Sequence, residues 1–145
     1  MLQGKVIELF ISKSGISDRQ NKEEIFLDEL GIKEDKFYNK KIDRSILIAS
    51  QESYKIAQQN GIDAPYSSLG ENILIDINPY GLDPGDEIEI GETILLITNN
   101  CTICNSLAKV DKKLPQILAN DRGIFAKTLK GGNIRKGDTV IIKKY

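Results

Sequence analysis

Short runs of alternating apolar residues recur along this chain, most of them bounded by glycine, proline or aspartate, with one or two helical segments interspersed among them. GKVIELFIS at 4–12 sets Val6, Glu8 and Phe10 against Ile7, Leu9 and Ile11. SILIAS at 45–50, ILIDI at 73–77, EIEI at 87–90 and TILLIT at 93–98 repeat the pattern. A period of two residues with β-branched enrichment is the mark of strands. The Pro84-Gly85-Asp86 and Gly91-Glu92 punctuation joins successive strands as an antiparallel meander. Regular strand–helix–strand alternation is absent, so the expected class is mostly β, a barrel-like domain with one to three short helices, rather than a parallel α/β sheet.

Other segments fill in this frame. Residues 13–24 are polar and read as a loop, IFLDELGI at 25–32 as a short apolar element, and EDKFYNKKIDR at 34–44 as a solvated loop. QESYKIAQQNG at 51–61 is the best helix, with Ser50 as N-cap and Gly61 closing its C-terminus. Residues 99–120 carry Leu107, Val110, Leu114, Ile117 and Leu118 at roughly helical intervals, with Pro115 at a start or break. The segment RGIFAKTLKGGNIRKGDTVIIKKY closes as two strands joined by a glycine-rich turn. LDPGDEIEI at 82–90 and IRKGDTVII at 134–142 echo each other through a Gly-Asp ahead of an apolar run, and turn chemistry accounts for the echo.

With 145 residues, 40% of them hydrophobic, one domain spanning 1–145 is expected. Twenty basic residues against 21 acidic ones leave a net charge of -1, so neither nucleic acid nor an anionic membrane surface is an expected partner. The N-terminal residues lack the order of a signal peptide and the apolar runs are too short to span a bilayer, which points to the cytoplasm. The chain contains no histidine, and that removes Ser-His-Asp and Cys-His catalysis together with imidazole metal sites.

Chemistry is concentrated in Cys101-Thr102-Ile103-Cys104, which follows a strand and precedes the helical segment. A thiol at a helix N-terminus is shifted toward the thiolate, a good nucleophile and soft-metal ligand. The spacing alone leaves four readings: a zinc site completed by a second copy, a redox dithiol, buried idle cysteines, or one working thiolate with a helper. At Gly70-Glu71-Asn72 a structural reading has Gly70 permitting a turn, Asn72 satisfying local backbone and Glu71 solvated. The functional reading has Asn72 offering its amide, and Gly70 a close backbone approach, to a ligand. Arg44, ahead of the SILIAS strand, and Lys109, beyond the cysteines, could hold a phosphate or carboxylate, or simply be solvated.

Taken in order along the chain, these motifs resemble the MOSC family, the domain at the C-terminus of molybdenum-cofactor sulfurases that also occurs as free-standing bacterial proteins. The resemblance rests on VIELFIS, LGIKEDKFYNKKIDRSILIASQES, LGENILID, LDPGDEIEIGETILLIT, the cysteine segment and GIFAKTLKGGNIRKGDTVII. It implies a β-barrel of the MOSC type and a role in binding molybdenum cofactor (molybdopterin) or in carrying sulfur as a persulfide. In cofactor-binding relatives a Cys-x-x-Cys segment leads into a run ending Val-Asp. CTICNSLAKVD ends in Val110-Asp111, so the resemblance makes Cys104 the metal ligand and working thiol, with Cys101 the alternate. Arg44, Glu71, Asn72 and Lys109 then become the cofactor-binding residues.

Partners implied are a sulfur donor such as a cysteine desulfurase, or molybdenum-cofactor enzymes. The family's Gly-Asp-x-His appears here as Glu34-Asp35-Lys36-Phe37, so no ligand contact is carried over there. The 145 residues leave no room for the separate N-terminal barrel of larger relatives, and a complete oxidoreductase is not expected of the chain alone. An adaptor module of cofactor biosynthesis and a dithiol redox protein are the alternatives.

Overall fold

A seven-stranded barrel, closed between its first and last strands, carries the chain in a computed structural model that describes residues 2–15, 19–100, 113, 118 and 123–145. The strands are β1 (Leu2–Ile11), β2 (Gln20–Lys22), β3 (Glu24–Asp28), β4 (Gly31–Ile32), β5 (Ile46–Ser50), β6 (Ile73–Ile75), β7 (Glu87–Ile90), β8 (Thr93–Asn100), β9 (Ile124–Lys130), β10 (Gly132–Arg135) and β11 (Thr139–Lys143). The barrel runs β11-β7-β8-β9-β5-β6-β1 and returns to β11 through the pairs Leu2↔Ile142 to Lys5↔Thr139. β2 extends this sheet from the far end of β1, and β10, β3 and β4 form a second sheet.

Alternation decides which side chains face inward. Ile46 and Ile48 of β5, Ile73 and Ile75 of β6, and Ile124 and Ala126 of β9 join Val6, Leu9, Ile88, Ile90, Leu95, Ile97 and Val140 in one buried cluster that fills the barrel. Residues of the opposite parity form a smaller outer core. Ala49 and Leu74 meet Tyr54 and Ala57 of the helix α1 (Gln51–Gln59), with Ile62, Leu69 and Leu118. The helix starts as its sequence predicts, Ser50 Oγ accepting from the N–H of Glu52 at 3.1 Å, and Gly61 closes its end. α1 connects β5 to β6, which pair in parallel; a parallel pair needs such a crossover.

Four expectations change. The polar run 13–24, expected as a loop, contains β2 and the first residue of β3. The element at 25–32 is two strands, β3 and β4, paired to each other. The C-terminal segment forms three strands rather than two. Its glycine pair Gly131-Gly132 lets the chain leave β9, so that β10 pairs with β3 in the second sheet. β6 stops at Ile75: the carboxylate of Asp76 turns back to accept from the N–H of Lys5 at 2.7 Å, and Ile77 packs from outside the strand. The echoed Gly-Asp segments do launch strands. β7 and β11 pair antiparallel, and in each turn the aspartate accepts the N–H three residues earlier, Asp83 to Asp86 and Arg135 to Asp138, both at 2.8 Å. Gly85 at φ 100° and Gly137 at φ 88° supply the left-handed step.

Candidate functional site

β8 brings the chain to the cysteine segment. Its last residue, Asn100, stands opposite Ile124 of β9, Ile124 opposite Ile48 of β5, and Ile48 opposite Ile73 of β6, so one row of the barrel wall leads to Cys101 in sequence. Cys101, Cys104 and Lys109 themselves lie outside the described residues, as does the helical segment expected around them.

Arg44 does belong to this wall. It ends a 3-10 turn, Ile42–Arg44, which is held against β8 by the hydroxyl of Thr98 donating to the carbonyl of Asp43. The guanidinium lies over the ring of Phe125, 4.8 Å from its centroid. Phe125 stands opposite both Leu47 and the exposed Asn99, and its parity, opposite to that of Ile124 and Ala126, puts it on the outer face. An arginine stacked on an aromatic ring keeps its N–H edge free for a planar anion. No described acid neutralises Arg44 by an ion pair, whereas its neighbour Asp43 is paired with Lys127 at 3.7 Å.

Beside Phe125, Leu47 is covered by backbone on two sides. A Cβ at Gly123, φ 153°, would lie 2.9 Å from Leu47 Cδ1, and one at Gly70 would lie 3.9 Å from Cδ2. Side chains are thus kept off this part of the wall, and Gly123 has no room to gain one.

Asn72 is engaged by main chain on every side. Its Oδ1 accepts from the N–H of Leu47 at 3.0 Å, and its Nδ2 donates to the carbonyl of Phe10 at 3.2 Å. Its own N–H donates to Leu47 O and its carbonyl accepts from Phe10 N, each at 2.8 Å. Asn72 therefore straps β5 to β1 just ahead of β6, where ladder bonds between the strands have yet to begin. The structural reading of its amide describes this arrangement.

Glu71 departs from the structural reading of the sequence. Expected at solvent if structural, it is fully buried. Its Oε2 accepts from the hydroxyl of Tyr54 at 2.6 Å and from the N–H of Ser67 at 3.3 Å, while Oε1 is enclosed without a partner. Burial pushes its carboxyl up from the ordinary range, and burial together with the hydrogen bond to Glu71 pushes the Tyr54 phenol up as well. Arg19 joins the same cluster from the segment after β1, donating to Glu71 O at 2.9 Å and to Ser12 Oγ at 2.6 Å. Nothing in the polar run 13–24 marked Arg19, because its partner carbonyl is 52 positions away. Tyr54 was legible only as an apolar helix position.

Two surface hollows lie elsewhere, one of about 450 Å³ beside Leu2, Pro79 and Ile142 and one of about 270 Å³ beside Phe26 and Lys33; neither is lined by a predicted site residue. Among the described residues no cluster of three or more acids or cysteines could hold a metal ion, and no helix is long and apolar enough to cross a membrane.

The barrel is shared with solved structures. It superposes on the YuaD protein from Bacillus subtilis with a TM-score of 0.87 at 18% identity, over 99% of this chain and 97% of that one. YiiM from Geobacillus stearothermophilus gives 0.76 at 15% identity, over 97% and 75%. YiiM from Escherichia coli gives 0.72 at 18%, over 100% and 71%. At such identities the likeness is one of fold. No curated protein matches the chain in sequence. Residues 33–141, which include β5–β10, most of β11, Arg44, Gly70-Glu71-Asn72 and the cysteines, match the MOSC domain, and the chain belongs to that family.

Proposed function

We propose that this chain is a MOSC module that presents Cys104, with Cys101 beside it, as a thiolate toward molybdenum cofactor or as the carrier of a persulfide. One observation supports the reading most: Arg44, stacked on Phe125 and without an ion pair to any described acid, lies on the wall whose next strand, β8, leads directly to the cysteines. A stacked guanidinium with a free N–H edge suits the phosphate of a pterin cofactor, so the described part of the site fits such a group.

In this reading Arg44 and Lys109 hold the anionic end. Asn72 and Glu71 serve from behind, fixing the Gly70–Asn72 turn against β5 rather than touching the ligand. The cofactor, when bound, supplies molybdenum that a soft thiolate ligates well. As a carrier, the Cys104 thiolate attacks the outer sulfur of a donor persulfide. A new S–S bond forms at Cys104, the donor's S–S bond breaks, and the donor cysteine, for example of a desulfurase, leaves as thiolate.

The experiment is loading of the whole chain produced in a host that makes molybdopterin. Molybdenum is measured by elemental analysis and persulfide by intact mass before and after a thiol reductant. Cys104→Ser abolishes both signals and Cys101→Ser keeps most of them; loading of Cys104→Ser equal to wild type excludes Cys104. Arg44→Ala lowers retention of cofactor while leaving persulfide formation from a small-molecule donor unchanged.

A further inference from the structure

We propose that Glu71 is carried as a neutral carboxylic acid and that its ionisation switches Arg19 between two sets of partners, making the pair a proton-operated latch between the end of β1 and the Gly70–Asn72 turn.

Glu71 uses its two oxygens unequally. Oε2 accepts from the Tyr54 hydroxyl and the Ser67 N–H, as the carbonyl oxygen of an acid would. Oε1 is enclosed, and among the described residues no hydrogen-bond partner reaches it. A carboxylate buried with one oxygen bare is the costly arrangement, and a proton on the carboxyl removes the buried charge. Arg19 agrees with this assignment. Its Nη atoms bond two uncharged oxygens, Glu71 O and Ser12 Oγ, and its Nε is also buried without an acceptor among the described residues. A guanidinium beside an ionised carboxyl forms the stronger charge-assisted pair. Here an orphan donor and an orphan acceptor coexist in one cluster, the arrangement expected while the acid keeps its proton.

The groups that face the pair come from three directions. Tyr54 approaches from α1. Arg19 comes from the segment after β1. Asp35, buried in the turn after β4, accepts from Ser12 N at 2.8 Å and Phe37 N at 3.1 Å and faces Arg19 electrostatically. Burial pushes the Glu71 carboxyl up and the Arg19 guanidinium down, in the directions the geometry requires. When the Glu71 proton leaves to solvent, the carboxylate becomes the best acceptor in the cluster. Arg19 then gives up Ser12 Oγ or the Glu71 carbonyl for Oε1, loosening the tie between β1 and the turn that carries Asn72.

Carboxyl-¹³C glutamate and ¹⁵N-arginine NMR of the intact chain tests this, titrating from about pH 5 upward past the ordinary glutamate range. Glu71→Gln assigns the glutamate signal and Arg19→Lys the Arg19 Nε–H. The expected result is one glutamate still protonated at neutral pH, titrating above all others, with the Arg19 Nε–H shifting at the same midpoint in wild type and remaining constant in Glu71→Gln. Should Glu71→Gln fail to fold, Tyr54→Phe serves instead: removing a donor to Oε2 moves the coupled midpoint higher. Titration of Glu71 with the other glutamates overturns the proposal. So does an Arg19 signal indifferent to Glu71 ionisation, or a Glu71 that holds its proton until the protein unfolds in base.

Discussion

The phenol of Tyr54 donates to Glu71 Oε2 at 2.6 Å and accepts from the N–H of Leu69 at 3.3 Å, so one oxygen on α1 fixes both a buried acid and the loop preceding it. Tyr54→Phe keeps the ring and removes that oxygen. The N–H of Leu69 then loses this acceptor, and Oε2 loses the shorter of its bonds while keeping the one from Ser67. We expect a loss of about 1–3 kcal/mol in urea unfolding, the cost of stranding buried polar groups. A variant as stable as wild type would show that water replaces the hydroxyl.

Asn72 carries a heavier load because its carboxamide bonds two strands at once. Asn72→Ala strands the N–H of Leu47 and the carbonyl of Phe10, and about 2–4 kcal/mol should be lost. Asn72→Asp keeps the acceptor for Leu47 but sets a carboxylate against the Phe10 carbonyl, so its deficit grows with rising pH and shrinks in acid. Chemical denaturation of both variants at two pH values separates the two halves of the strap.

Much of this fold was legible because its signals are local. The helix α1 announces itself in Ser50 and Gly61, and the Gly-Asp echo could be read as turn chemistry because each aspartate bonds a residue only three positions away. What escaped depends on distant partners. β10 exists because Asn133 and Ile134 meet Phe26 and Ile25 far back in the chain. Arg19 looked like loop polarity, and Glu71 like a solvated turn residue, because their burial is created by elements that no window of sequence contains. The site divides in the same way: Arg44 was visible from its place ahead of a strand, but its stack on Phe125 follows from the β5–β9 pairing.

The missing glycine of the family's Gly-Asp segment has a readable consequence. Glu34 occupies that position with φ 73°, the left-handed conformation a glycine adopts freely and a side chain adopts at a cost. Its partner Lys22 lies 3.9 Å away in an exposed pair that contributes little. Glu34→Gly should therefore stabilise the protein by about 0.5–1 kcal/mol, relief of strain exceeding the added entropy of the unfolded chain. The following Asp35, which holds Ser12 and Phe37, should be unaffected. Thermal and urea midpoints measured together test the sign, and a lower midpoint would mean the strain is absorbed by the turn.

The twin aspartates separate a shared turn from an added load. Both accept the N–H three residues back, but Asp86 also accepts from Tyr145 N at 2.8 Å and from Lys144 Nζ at 3.2 Å, tying the end of β11 to the turn before β7. The Asp83 and Tyr145 N–H groups, with Lys144, hold the Asp86 carboxyl below its ordinary range. A value depressed in the folded state contributes stability that is complete above the unfolded value of about 3.9 and is lost as pH falls through the folded value. Asp86→Asn should accordingly lower the urea midpoint at neutral pH, and the gap to wild type should close on acidification as Asp86 itself takes up a proton. Asp138→Asn, which keeps its turn bond and has no chain-end donors to lose, should show a smaller gap at neutral pH. Equal gaps in the two variants would mean that the tie to Tyr145 and Lys144 contributes nothing to the closure of the barrel.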